Sequence, residues 1–319
     1  MISFEESDDS ATIRSGSRHY VNQVIAHAHG LAPYCKRRNI LGLVLDATLH
    51  PARYAEWFSY IENELPQGLP PDISRHLIEQ MARRYMRCWF SPQEKMNILR
   101  SHYETFDARF PPTVLTCIQK EGILLTELTG KSGQVYKIIL RRPATKEGEI
   151  GVRFVDTESN RSLAEMRGVF GPGEQGNMVY WVGAIQGSLF QQGREAISAA
   201  TRDLNGLRPK LAVLHATAAL CEWACVDTIY APPHTNHVSY RWWRPLFTRH
   251  KILSDYDGFW QEFTAERTSH GDFRLILPLT RRKAEDVPSK RRKEWMRRYA
   301  RIDALRESTV GALRALNQF

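Results

Sequence analysis

Through the first third of the chain, apolar residues recur at helical spacing. Pro51 sits where a first helical residue is favoured, and Tyr54, Trp57, Phe58, Ile61 and Leu65 follow as a single apolar stripe. The proline- and glycine-containing segment 66–71 stops it. A second helix is predicted from near Asp72, with Leu77, Ile78, Met81 and Tyr85 on one face and Arg75, Arg83, Arg84 and Arg87 elsewhere around it. The third has the strongest start signal. Ser91-Pro92-Gln93-Glu94 places a hydroxyl cap, a first-turn proline and a glutamate that reaches back, ahead of Met96, Leu99, Tyr103 and Phe106. Pro111-Pro112 predicts its end and a boundary.

From about residue 115 the period becomes strand-like. Segments 123–128 and 134–140 flank Thr129-Gly130-Lys131-Ser132-Gly133, a hairpin pattern. Segments 150–156 and 162–170 are joined by a polar turn, and a glycine-rich loop over 171–177 leads into 178–185. That last run is apolar at every position, as expected of a central strand covered on both faces. A glycine- and amide-rich turn, 186–193, feeds a helix over 194–204 that Asn205-Gly206 caps. A longer helix opens at Pro209 and carries Leu211, Leu214, His215, Ala218, Cys221 and Cys225. A short strand over 226–231 and a hairpin of 259–266 with 273–279 complete the pattern. The order predicts an α/β (α+β) class: a helical N-terminal domain over 1–112, a mixed-sheet α/β domain over 113–280 and a basic helical tail over 281–319.

Composition narrows the setting. At 319 residues, 42% hydrophobic and 25% charged, the chain has ordinary globular values, which exclude a short disulfide-stapled module and wholesale disorder. Its five cysteines, Cys35, Cys88, Cys117, Cys221 and Cys225, are odd in number and lack a disulfide-framework spacing, which suits a reducing compartment. The first nine residues are acidic and carry neither the basic nor the apolar region of an export signal. No apolar run reaches the ~18 residues of a spanning helix. A cytoplasmic protein, at most peripheral to the inner membrane, is expected. Charge changes the picture more: 44 Lys+Arg against 35 Asp+Glu leave +9, and ten Lys/Arg against three acids within 281–301 concentrate +7 of it there. Such a segment is either a solvated basic helix or an electrostatic contact with phosphates of lipid, or less favourably of nucleic acid.

A central strand that ends in a glycine-rich turn and feeds a helix N-terminus can hold a phosphate, because unpaired N–H groups point outward and the helix dipole favours an anion. The candidate cofactor-binding residues are therefore Gln186, Gly187, Gln192, Gly193 and Arg194. An ordinary strand-to-helix turn that needs glycine has the same appearance. Neither G-x-x-x-x-G-K-[ST] nor G-x-G-x-x-G occurs in this turn, and no G-x-S-x-G elbow is present. His234-x-x-His237 with Cys221 and Cys225 has a ligand-like inventory, but the cysteines lie on an apolar helix face, so no metal is expected. Tyr240-Arg241-Trp242-Trp243-Arg244-Pro245-Leu246-Phe247 reads as a packed corner or as an interfacial surface.

The turn resembles the acyl-CoA pyrophosphate loop of the GNAT acyltransferases, [QR]-x-x-G-x-[GA], which follows their fourth strand. With Gly193 as the first glycine, Phe190 and Glu195 depart from that pattern, and the helix from Pro209 is additional to the minimal order of helix, strand, helix and hairpin. The resemblance implies a GNAT-like core with acyl-CoA or acyl carrier protein as donor. Such chemistry deprotonates an acceptor amine and protonates a leaving thiolate, work suited to Glu165 or His237 and to Tyr240, with Asn236 orienting. Val182-Gly183-Ala184-Ile185-Gln186-Gly187, Gly206-Leu207-Arg208-Pro209-Lys210, Tyr256-Asp257-Gly258-Phe259-Trp260 and the arginine-rich stretch 291–298 resemble the VirK/YbjX family of enterobacterial proteins. That resemblance implies an envelope- or virulence-related role, including resistance to antimicrobial peptides. Two readings follow: a GNAT-like acyltransferase, or a non-enzymatic adaptor that binds anionic lipid or a protein partner through the basic segment 281–301.

Overall fold

The computed structural model describes residues 22, 37–66, 69, 72–143, 145–188, 192–240, 255–263, 265–281 and 283–316. The N-terminal helices are α1 (Arg37–Leu49), α2 (Pro51–Ser59) running on into a π turn at Tyr60–Glu64, α3 (Ile73–Met81), α4 (Pro92–Arg109) and α5 (Pro112–Lys120). Helix α4 begins with the full capping box: the Ser91 hydroxyl accepts from the Glu94 N–H, and the Glu94 carboxylate accepts from the Ser91 N–H. Two expectations are corrected. The second helix stops at Met81, not beyond Tyr85, and Pro112 opens α5 rather than only closing α4. Proline at a first helical position starts a helix as readily as it ends one.

The eight strands among the described residues lie in one sheet, ordered β1-β2-β3-β4-β5-β6-β8-β7. They are β1 (Ile123–Thr129), β2 (Val135–Arg141), β3 (Ile150–Asp156), β4 (Arg161–Pro172), β5 (Met178–Gly187), β6 (Thr228–Ala231), β7 (Glu266–Arg267) and β8 (Phe273–Ile276). Every neighbouring pair is antiparallel except β5–β6. Residues 179–185 of β5 are all buried, as the uninterrupted apolar run predicts. The expected hairpin forms with a much shorter first arm, because 256–261 coil into a helix that Asp255 caps through the Gly258 N–H. In the GNAT-like order the helix between the 226–231 strand and the hairpin would fall in the region 236–256, most of which, 241–254, lies outside the described residues.

After β5 come α6 (Gly193–Asp203) and α7 (Pro209–Trp223), the latter packed across β3, β4 and β5. Asn205 and Gly206 both turn at positive φ between them. The helix over Tyr256–Gln261 is α8, and α9 runs from Ser289 to Leu316. From Ser289 onward the basic segment is thus the first half of a long helix whose second half buries Ile302, Leu305, Thr309 and Leu313 against α7 and β1. One apolar cluster extends from Leu43 in α1 to Leu313 in α9.

Buried charge joins the helical region to the sheet. The Glu149 carboxylate is fully enclosed and accepts from His76 Nε2 (2.9 Å), the Tyr85 hydroxyl (3.0 Å) and the Tyr103 hydroxyl (2.8 Å), with Arg142 at 3.5 Å. Burial alone would raise its pKa. His76 and Arg142 outweigh that and hold it well below the ordinary carboxylate range. In two further buried histidines desolvation outweighs a nearby carboxylate, Glu149 for His102 in α4 and Asp303 for His215 in α7, and pushes His102 down to about 4 and His215 down to about 3.

Removing Glu149 leaves the buried Arg142 with only the half-exposed Asp72, at 4.0 Å, as a counter-charge. Glu149→Ala is therefore expected to lower the unfolding free energy in urea by about 3–5 kcal/mol, whereas Leu41→Ala, at a residue 71% exposed, stays within about 0.5 kcal/mol. The histidines set an acid dependence. Between their ordinary pKa of 6.5 and the depressed folded values the unfolded chain holds the extra protons, so stability is lost as pH falls below 6.5. Each histidine contributes up to about 1.4 kcal/mol per pH unit in that window, and His215→Leu is expected to flatten the slope in a pH series of denaturation curves.

Candidate functional site

Strands β5 and β6 pair at only two positions, Tyr180 with Ile229 and Trp181 with Tyr230. Beyond them the Arg87 guanidinium lies between the strands. It donates to the Val182 carbonyl (2.7 Å) and the Tyr230 carbonyl (3.3 Å), and its Nε donates to Asp272 (2.8 Å). Both charged side chains are completely buried. Asn236 Nδ2 donates to the other Asp272 oxygen at 2.9 Å. The segment carrying Arg87 crosses β5 closely: Met86 turns at φ 56°, and a Cβ on Gly183 would stand 1.9 Å from the Glu147 carbonyl and 2.8 Å from the Met86 sulfur. Gly183 is also the extra residue of a bulge, since Arg167 pairs with Ala184 and Gly168 with Val182.

Next to this divergence lies a buried polar cluster. Glu147 Oε2 accepts from Arg167 (2.7 Å) and Gln186 (3.1 Å), while its Oε1 faces His237 Nε2 at 3.9 Å. His237 Nδ1 accepts from the Ser239 N–H (3.1 Å), which assigns the ring proton to Nε2. That buried Nε2 has no hydrogen-bond partner among the described residues. Burial first, then Arg87 and Lys146, pushes His237 down to about 3, so the imidazole is neutral. Tyr256, first residue of α8, packs 5.1 Å from the His237 ring, and its hydroxyl lies near the Ile185 backbone on β5. Burial and the Glu147 charge raise its pKa above the usual phenol value.

The structure brings together some sequence-predicted residues and separates others. His237 and Gln186 lie in the cluster. Glu165 pairs with Gln186 across β4–β5 and is neutralised by Arg167 (2.7 Å), Arg153 (3.5 Å) and Arg141 (3.6 Å). Tyr240 is half-buried beside His234, and its carbonyl accepts from Arg84. Gly187 ends β5, Gln192 takes a left-handed conformation (φ 67°), Gly193 opens α6, and Arg194 and Glu195 are exposed in the first turn. Leu189, Phe190 and Gln191, like residues 241–247 of the aromatic and basic segment, lie outside the described residues.

Sequence reading missed Arg87, Glu147, Asp272 and Tyr256. The one signal was weak: Tyr256 stands within one of the family phrases. A groove of about 970 Å³ between the β1–β2 loop and α6, lined by Lys131, Tyr136, Arg202 and Asp203 among others, holds none of these groups. It is open and offers no buried unpartnered polar atom, so the β5–β6 divergence is the better site. Among the described residues no cluster of His, Cys, Asp or Glu could hold a metal ion.

Arg87→Met strands Asp272 and is expected to cost about 3–5 kcal/mol in urea denaturation. Adding Asp272→Asn should recover part of that loss. A double-mutant cycle with no coupling would show that the pair does not act as a unit.

The family described as "Protein of unknown function (DUF535)" matches residues 34–310. The chain is 26% identical over 266 residues to the "Uncharacterized protein YbjX" of Escherichia coli (strain K12), covering 82% of this chain and 79% of that one. It is 34% identical over 125 residues to an "Uncharacterized protein" of Haemophilus influenzae, covering 39% of this chain and 40% of that one. No solved structure matches significantly. With the match spanning both the N-terminal helices and the whole sheet, the chain belongs to the DUF535 family, the YbjX/VirK group.

Proposed function

We propose that the protein is an acyltransferase of GNAT-like architecture that takes its acyl group from acyl-CoA or an acyl carrier protein. The observation that carries this reading is the divergence of β5 from its parallel neighbour β6 after two register positions, beside a buried polar cluster. The order after β5 supports it: helix, strand, helix and hairpin, with α7 inserted. Arg87 closes the inner end of the divergence at Val182, so a donor arm enters from the end of β5 at Gln186 and Gly187, and its acyl group stops beside Glu147 and Tyr256. The α6 N-terminus, with Gly187, Gln192, Gly193 and the Arg194 charge, receives the donor phosphates.

Glu147, open at Oε1 and held at Oε2 by Arg167 and Gln186, accepts the acceptor's proton. His237 presents its Nε2 proton toward the same carboxylate and orients it. Tyr256, protonated at neutral pH and in contact with β5, protonates the leaving thiolate in the role assigned from sequence to Tyr240.

Calorimetry with acyl-CoAs of several chain lengths and with acyl carrier protein is expected to give heat, and Arg194→Ala to weaken it. Tyr256→Phe should retain donor binding while transfer to an amine falls by about 10²–10⁴-fold. No heat with any donor ends this reading.

A further inference from the structure

We propose that the outward face of the first half of α9 docks the protein on an anionic membrane surface. Residues 289–301 hold seven Lys/Arg and a single acid, Glu294. At about 100° per residue, Ile302, Leu305, Thr309 and Leu313 define the inward direction. Arg291, Trp295 and Arg298 continue that inward line, which places Lys290, Lys293, Met296 and Arg297 on the opposite side. All four of these are exposed, Met296 by 58%. Two lateral arginines are engaged: Arg292 donates to the Ala284 and Val287 carbonyls, and Arg301 to the Thr129 carbonyl. Lys290, Lys293 and Arg297 have no ion pair among the described residues. The neighbouring carboxylate Asp303 is taken by Arg281.

Charge complementarity selects an anionic partner, and Met296 selects its kind. A purely phosphate-lined partner such as duplex nucleic acid gains nothing from an apolar side chain amid three cations. A bilayer takes the thioether below the headgroups while the cations meet lipid phosphates. The face is rigid, because the second half of the same helix is part of the core. Among the described residues no helix is long and apolar enough to cross a membrane, so this contact lies on the surface. It is independent of the acyl-transfer site.

Deleting the segment would remove Ile302, Leu305 and Leu313 from the core, so substitutions make the cleaner test. The wild-type chain is expected to co-sediment with phosphatidylglycerol-containing vesicles but not with pure phosphatidylcholine, and to be released by salt. Lys290→Ala/Lys293→Ala/Arg297→Ala should lower the affinity on the order of 100-fold, from about 1 kcal/mol per cation. The charge-matched Arg109→Ala/Lys120→Ala/Arg314→Ala, at exposed positions elsewhere, should retain it. Met296→Glu should weaken binding and Met296→Leu preserve it, with circular dichroism confirming that each variant is folded. The proposal is overturned if the wild-type chain ignores anionic vesicles, if the first triple variant binds as tightly as wild type, or if the chain binds duplex DNA but no vesicle.

Discussion

Arg87 brings a full charge to a place without solvent, and every nitrogen of its guanidinium has to be answered there. Asp272 answers the charge at Nε, and the carbonyls of Met86, Val182 and Tyr230 accept from the two terminal nitrogens. A buried pair of this kind gains little net stability over an apolar filling, but removing either partner is costly. It therefore acts as a constraint on arrangement. With the guanidinium between them, the parallel pair β5–β6 stops its ladder after Trp181 and Tyr230. The chain must also pass over β5 to deliver Arg87, which requires positive φ at Met86 and no side chain at Gly183.

The same crossing positions the candidate site. Met86 N–H donates to the Lys146 carbonyl, which seats Glu147 beside Gln186 and opposite His237. Cys88 N–H donates to the Asn236 carbonyl, which holds the segment leading to His237. The N-terminal helices are thus tied to the sheet by two buried polar centres, Arg87 and Glu149, as well as by a shared apolar core. A cleft built from both regions brings together groups that neither contains alone: Glu147 from the turn before β3, Gln186 from β5, His237 after β6 and Tyr256 from α8.

Much of the fold was legible because its signals are local. The Ser91 capping box, the unbroken apolar run of β5, the alternation in β1 through β4 and the Asn205-Gly206 turn each act over a few residues, and each predicted its element within a residue or two. The failures were local ambiguities settled elsewhere. Pro112 could end one helix or begin another, and packing on β2 decided for α5. Phe259 and Trp260 suit a strand, but Asp255 caps a helix in front of them. The stripe of α3 continued on paper to Tyr85, whose hydroxyl instead reaches Glu149.

The sequence by itself determined the helix and strand content, the central place of β5, the glycine turn into α6 and the concentration of positive charge before residue 302. Those features depend on periodicity, capping and composition, which neighbours in the chain express directly. Only the tertiary structure decided which charged groups are buried and which face water. Arg87 and Asp272 are separated by 185 positions and Tyr103 and Glu149 by 46, and nothing in the spacing of either pair marks it. Desolvation makes an isolated charge intolerable in the core, so such partners are chosen by the fold as a whole. The same fold turned the cationic tail into half of an anchored helix with one face left to solvent.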